Sequence, residues 1–269
     1  AEGSVVNNND GTFSFDPGVD FQDLALGESR DVTFTYRATD NSGSGNAGSA
    51  LAMVTVTVSG ANDRPVASAV SINADEDGAS VGGSFGETDA DSNGSHVFSI
   101  TSMPSEGNVV NNNDGTFTFD PAGDFQDLAE GATRMVTFEY VVIDSSGAGN
   151  ATSVAATVTV TVTGKNETPI VGDLSTSADE DGAVVNGSFS VADGDGGDTH
   201  TFTLVGLPAE GTVINNNDGT FSFDPGMDFQ DLGATESRDV SFTYRATDSS
   251  GVGNGDSPVS YTHLRAHET

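Results

Sequence analysis

The most regular stretch of the chain is Thr157-Val158-Thr159-Val160-Thr161-Val162, where polar and apolar residues alternate without a break. A period of two predicts a half-buried strand, here over 155–163. The same period places Val136, Phe138, Tyr140 and Val142 on one face of a long strand over 135–143, with Thr137 and Glu139 on the other. Shorter runs predict strands at 66–72, 80–85, 97–102, 108–110 and 116–119. A short helical turn is expected at 124–128. No stretch shows a helical period.

The last two of those short strands flank Asn111-Asn112-Asn113-Asp114-Gly115-Thr116-Phe117, which reads as a β-hairpin. Asn, Asp and Gly tolerate the positive φ of a tight turn. The run occurs three times, starting at Asn7, Asn111 and Asn215, and the two intervals are both 104 residues. Equal intervals mean a tandem array. The expected division is a partial repeat at 1–62 lacking its first strands, a complete repeat at 63–166, and a third at 167–257 lacking its last strand. Residues 258–269 lose the repeat identity and are expected to be a non-repeat tail, the product of an artefactual gene end. Short linkers around Gly60 and Gly164 join the repeats, and Gly164 is expected to act as a pivot. About seven strands per repeat, with turns every eight to twelve residues or so, predict an all-β antiparallel β-sandwich.

Charge changes the picture more than length does. The chain has 41 Asp and Glu against 8 Lys and Arg, a formal net charge of −33. That balance excludes nucleic acid and anionic membrane surfaces as partners, since both need basic patches. No apolar run approaches the roughly 20 residues that span a bilayer. Cysteine is absent, so thiolate metal sites and disulfides are excluded. Cations remain as the natural partners.

The acidic residues recur in loops at one register. Asp89 and Asp91 follow the second strand and match Asp193 and Asp195. Asp144 ends the long strand and matches Asp248, while Asn62-Asp63 and Asn166-Glu167 form the linkers. In a sandwich these loops and the incoming linker meet at one end, which supplies hard oxygen ligands in the number Ca²⁺ takes, roughly six to eight. Carboxylates ~4 Å apart repel by about 1 kcal/mol per pair even in water, and a divalent cation removes that repulsion. The plain alternative is a solvated acidic end.

Other matches carry less. Asp89-Ala90-Asp91-Ser92-Asn93-Gly94 resembles half an EF-hand loop, but Ile100 stands where a bidentate Glu is required. Gly82-Gly83-Ser84-Phe85-Gly86 fits a nucleophile elbow, yet the equivalent Asn186-Gly187-Ser188-Phe189-Ser190 has lost both flanking glycines. No catalytic residues are expected. His96 and His200 read as exposed strand-start residues.

The order Asp75-Glu76-Asp77-Gly78, Asp89-x-Asp91, Asn113-Asp114-Gly115-Thr116-Phe117, Phe125-Gln126-Asp127-Leu128-Ala129, Thr157-Val158-Thr159-Val160-Thr161 and Asn62-Asp63-x-Pro65 resembles the VCBS-type, cadherin-like repeats of large bacterial surface adhesins. The resemblance implies an immunoglobulin-like (cadherin-like) sandwich, calcium at the junctions, type I secretion to the cell surface, and a role in adhesion or biofilm. Cell-surface or matrix ligands would be met through other domains. It also implies that Asn62, Asp63, Asp89, Asp91 and Asp144 hold calcium at one junction, that Asn166, Glu167, Asp193, Asp195 and Asp248 hold it at the next, and that Glu76 serves the far end of its own repeat. Two departures stand out. Glu167 replaces the linker Asp, and the cadherin Leu-Asp-Arg-Glu motif is not recognisable around Leu128-Ala129-Glu130. A carbohydrate-binding module is the first rival, but there is no Trp for a sugar platform. Accessory repeats of a secreted hydrolase are the second.

Overall fold

The computed structural model describes residues 2–43, 45, 47–92 and 94–267. Asn93 of the EF-hand-like loop, Ala1 of the first repeat and the last two residues of the tail lie outside them. The first module contains β1 (Ser4–Asn7), β2 (Phe13–Asp16), β3 (Ser29–Tyr36) and β4 (Ala52–Ser59). The second contains β5 (Val66–Ser68), β6 (Val70–Asp75), β7 (Val81–Ser84), β8 (Gly86–Thr88), β9 (His96–Ser102), β10 (Asn108–Asn111), β11 (Thr116–Asp120), β12 (Thr133–Asp144) and β13 (Ala156–Thr163). The third repeats this order with β14 (Ile170–Val171), β15 (Leu174–Asp179), β16 (Val185–Ser188), β17 (Val191–Ala192), β18 (Thr201–Gly206), β19 (Thr212–Asn215), β20 (Thr220–Asp224), β21 (Ser237–Thr247) and β22 (Ser260–His267).

The second and third modules are β-sandwiches of one topology. In the second, β6-β13-β12-β9 faces β10-β11-β7, and in the third β15-β22-β21-β18 faces β16-β20-β19. The alternation read from sequence sets the register: Val136 pairs with Val160 and Phe138 with Val158, so their apolar side chains point into one core. Phe117, Phe119, Phe138, Tyr140, Val158, Val160 and Val162 are buried there. Each such side chain stabilises the module by ~1.5–3 kcal/mol relative to exposure. Phe85 stacks on Phe98 at 5.1 Å and tilts against Tyr140 at 4.6 Å. Gly83 lies directly under the Phe117 ring, where a Cβ has no room. In the hairpin turn Asn113 has φ 61° and Gly115 φ 89°, and Asp114 caps the turn by accepting from the Thr116 amide at 3.0 Å.

One strand expectation needs correction. The first strand is not continuous over 66–72. It breaks at Ala69, so that β5 pairs antiparallel with β8 while β6 runs parallel to β13 on the other sheet. The buried Tyr140 hydroxyl marks the crossover, lying 2.6 Å from the carbonyls of both Ser68 and Gly86. The short turn expected at 124–128 is present as a single turn, closed by the Leu128 amide on the Phe125 carbonyl at 2.9 Å.

The expected tail is also revised. Ser260–His267 is the last strand of the third module, pairing Leu264 with Val240 and Thr262 with Phe242, the register that β13 holds against β12. Repeat identity is lost there but the period of two survives, and Ser260, Thr262, Leu264 and Ala266 are buried. The first module has two hairpins, β1–β2 and β3–β4, and its Tyr36 is 54% exposed where Tyr140 is fully buried. Among the described residues no helix is long and apolar enough to cross a membrane.

Candidate metal centres at the module junctions

The acidic end of the second module is assembled by the strand ends. β12 stops at Asp144, whose carboxylate accepts from the Ser146 amide at 2.8 Å and from Asn62 Nδ2 at 3.1 Å. The linker continues past it, and the Asp63 amide donates to Asp91 at 3.0 Å. Asp91 in turn donates its amide to Asp89 at 3.2 Å. Asn62, Asp63, Asp89, Asp91 and Asp144 therefore meet in one place. Asn62, Asp89, Asp91 and Asp144 line a cavity of about 300 Å³ together with Ala25, Leu26 and Glu28 of the preceding module.

The next junction is built the same way with more carboxylates. Asn166 Nδ2 reaches Asp248 at 3.1 Å, the Glu167 amide donates to Asp195 at 2.9 Å, and the Asp195 amide to Asp193 at 3.3 Å. Oxygens of Asp193, Asp198 and Asp248 lie within 4.8 Å of one another, close enough to share a metal ion. From the second module, the carboxylate of Glu76 accepts the Lys165 amide and that of Glu130 accepts the Asn166 amide at 3.0 Å. All eleven residues singled out in the sequence thus fall at the two junctions.

Donors do not satisfy this set. Among the described residues, buried oxygens with no hydrogen-bond partner are Glu76 Oε2, Asn166 Oδ1, both Glu167 carboxylate oxygens, Asp195 Oδ1 and Asp198 Oδ2 at one junction, and Asp91 Oδ1 at the other. A buried acceptor without a donor costs ~1–3 kcal/mol. Burial pushes the Glu167 carboxyl up to about 8, helped by the neighbouring Asp195 and Glu76. Burial likewise raises Glu76 and Asp91, against amide hydrogen bonds from Lys165 and Asp63 that pull them down. For Asp144 and Asp248 burial also pushes upward, but serine and asparagine donors outweigh it and hold both below the usual carboxylate range.

Three features escaped the sequence reading. Glu130 and Asp198 do not recur, since Leu26 and Gly94 occupy their register positions, and a search for recurrence passes over them. His96 and His200 are not exposed. They are half-buried against Asp89 at 2.9 Å and Asp193 at 2.7 Å, because the Asp-x-Asp loop folds back over the strand start. Gly164 is not a pivot: its amide donates to Ala132, its carbonyl accepts from Gly131, and a Cβ would strike the carbonyls of Leu128 and Ala129. Glycine stands there for close approach, not freedom.

Tandem sandwiches of this topology, with acidic oxygens gathered where one ends and the next begins, define the class: a cadherin-like array. Residues 62–164 match the bacterial cadherin-like domain and residues 166–259 the bacterial Ig domain, so the chain carries these two kinds of module in tandem. Both are non-catalytic modules typical of extracellular surface proteins. Among solved structures the chain is similar to mouse cadherin-23 EC22-24, with 18% identity, TM-score 0.58, and coverage of 100% of this chain and 82% of that one. The protocadherin gamma B4 extracellular domain gives 15% identity and TM-score 0.52, covering 100% of this chain and 44% of that one. Mouse clustered PcdhgC3 EC1-3 gives 15% and 0.50, covering 98% and 85%. At these identities the likeness is one of fold. No curated protein matches the chain.

Proposed function

We propose that both junctions bind Ca²⁺ and that the chain is a structural, non-enzymatic repeat segment of a secreted bacterial adhesin of the VCBS type, extending an adhesive or biofilm-forming protein from the cell surface. One observation carries this reading. Among the described residues, buried oxygens from both modules and the linker gather around 166–167 and accept from no donor. An all-oxygen, anionic set suits a hard cation, and its number suits Ca²⁺ better than Mg²⁺, which wants a tight octahedron and keeps its water. The first-junction residues Asn62, Asp63, Asp89, Asp91 and Asp144 are assigned the same role. The functional units are the repeats divided at 62/63 and 166/167, since each cut falls inside an acidic linker.

The test is the melting temperature in chelator and in millimolar Ca²⁺. Calcium raises it, with affinity in the range of extracellular modules, roughly 10⁻⁴–10⁻³ M or tighter. The double change Asp193→Asn with Asp195→Asn removes most of the gain at the second junction. Coincident curves with and without calcium sink the proposal.

A further inference from the structure

The run Val81-Gly82-Gly83-Ser84-Phe85, which fits a nucleophile elbow by sequence, is strand β7 with the residue that follows it. It lies antiparallel to β11 with Gly83 opposite Phe117, and the Phe117 ring occupies the space a side chain at 83 would need. Phe85 then turns inward. Its amide donates to the Gly115 carbonyl at 3.0 Å, and its ring lies 5.1 Å from Phe117 and 4.6 Å from Tyr140. Phe98 of β9 stacks on it, and the Phe98 carbonyl accepts from Asn111 Nδ2 at 2.7 Å. The third module repeats each contact. Gly187 faces Phe221, the Phe189 amide donates to the Gly219 carbonyl at 2.9 Å, Phe189 stacks on Phe202 at 4.8 Å, and Asn215 Nδ2 reaches the Phe202 carbonyl at 2.6 Å.

The first module has the receiving half of this arrangement. One repeat interval of 104 residues back, Phe117, Phe138 and Tyr140 correspond to Phe13, Phe34 and Tyr36. All three line a groove of about 680 Å³ together with Asn7 and Gly11, the counterparts of Asn111 and Gly115. Phe13 is 46% exposed there, whereas Phe117 is fully buried. Among the described residues β2 pairs only with β1, and β3 only with β4. The free edges of β2 and β3 are those that β7 and β9 cover on β11 and β12. Two-stranded hairpins are marginal until further strands join them.

We propose that the groove of the first module is a β-augmentation site for an extended segment of the pattern Val-x-Gly-Ser-Phe, followed by a second strand of the β9 type with its own phenylalanine. The segment adds antiparallel to the free edge of β2, where main-chain hydrogen bonds hold it and side chains select it. Glycine is required opposite Phe13, and the phenylalanine two residues on fills the space between Phe13 and Tyr36. A second copy of the chain is a poor occupant. Its own Phe85 is enclosed in the second module, and its open face would set Phe13 against Phe13 with no glycine to receive either ring. Each copy also brings a net charge of −33.

The test adds a labelled synthetic peptide of residues 79–103 to the full chain in chelator, at about 0.15 M salt, where the screening length is roughly 8 Å. Fluorescence anisotropy follows binding, and backbone hydrogen exchange locates it. The expected result is saturable one-to-one binding with slowed exchange in β2 and β3. Peptides carrying Gly83→Val or Phe85→Ala bind about tenfold more weakly or worse. Phe13→Asp in the chain abolishes binding and leaves the melting of the second and third modules unchanged. Absence of saturable binding overturns the proposal, as does equal binding of the variant peptides or protection confined to the other modules. A chain that dimerises through β2 and β3 and is not released by the peptide makes the second copy the occupant, which overturns it too. With chelator present throughout, each result is separate from calcium binding at the junctions.

Discussion

Glu76 and Lys165 are 89 residues apart, yet the buried carboxylate of one accepts the backbone amide of the other. The pair ties the start of the second module to the linker that leaves it. Its second oxygen, Oε2, has no partner. Glu76→Gln keeps an acceptor for the amide and removes the buried charge, which costs free energy unless it is paired. In chelator the variant melts at or above the parent temperature, and its gain on adding Ca²⁺ is smaller. Scanning calorimetry with and without metal reads both.

The Glu167 carboxyl, pushed up to about 8 by burial and by Asp195 and Glu76, makes a pH prediction with a definite sign. A group raised above its ordinary value near 4.5 contributes stability in its protonated form. That contribution is complete below about 4.5 and is lost as pH rises through about 8. Metal-free protein therefore loses melting temperature between these limits. On the proposed function calcium takes the deprotonated form, so its stabilising effect is expected to grow over the same interval. Melting curves across this range show opposite trends in chelator and in calcium, and Glu167→Gln flattens both.

Close packing of Gly83 beneath Phe117 predicts a large effect from one methyl group. Gly83→Ala drives the Cβ into the ring, and overpacking of this kind costs ~1–3 kcal/mol. Gly187→Ala does the same to Phe221 in the third module. Gly82→Ala, whose Cβ meets only the Phe117 carbonyl at 3.8 Å, leaves the denaturant midpoint nearly unchanged.

Leu264 tests whether the final residues belong to the fold. It is 1% exposed and paired with Val240. Leu264→Ala should destabilise the third module by ~2–5 kcal/mol, as for other buried leucines. A denaturation curve identical to the parent's would mean that Ser260–His267 does not form β22.

The two sheets and the hairpin were legible because a period of two, repeated at fixed intervals, leaves little choice of buried face. The acidic loops were legible for a similar reason: Asp89, Asp91 and Asp144 recur as Asp193, Asp195 and Asp248. Glu130 and Asp198 were not, since each belongs to a single repeat and only the fold brings it to the junction. The break in the first strand had no marker at Ala69, although its counterpart Gly172-Asp173 carries one. The last strand was misread because identity was followed where parity was the physical signal. Ser260, Thr262, Leu264 and Ala266 keep the inward positions despite losing the valines.

The parallel pairing of β6 with β13 bears on how the array responds to being pulled. Val70 to Asp75 runs beside Val158 to Thr163 in the same direction, six residue pairs in register. Tension along the chain enters the second module before β5 and leaves after β13. It therefore pulls on opposite ends of this ladder and tries to slide the two strands lengthwise past each other. All the hydrogen bonds between them share the load at once, where an antiparallel pair pulled from one end would peel open bond by bond. The break between β5 and β6 frees β6 for this ladder, and with β15 beside β22 in the third module it makes the second and third modules mechanical clamps set in line with the load.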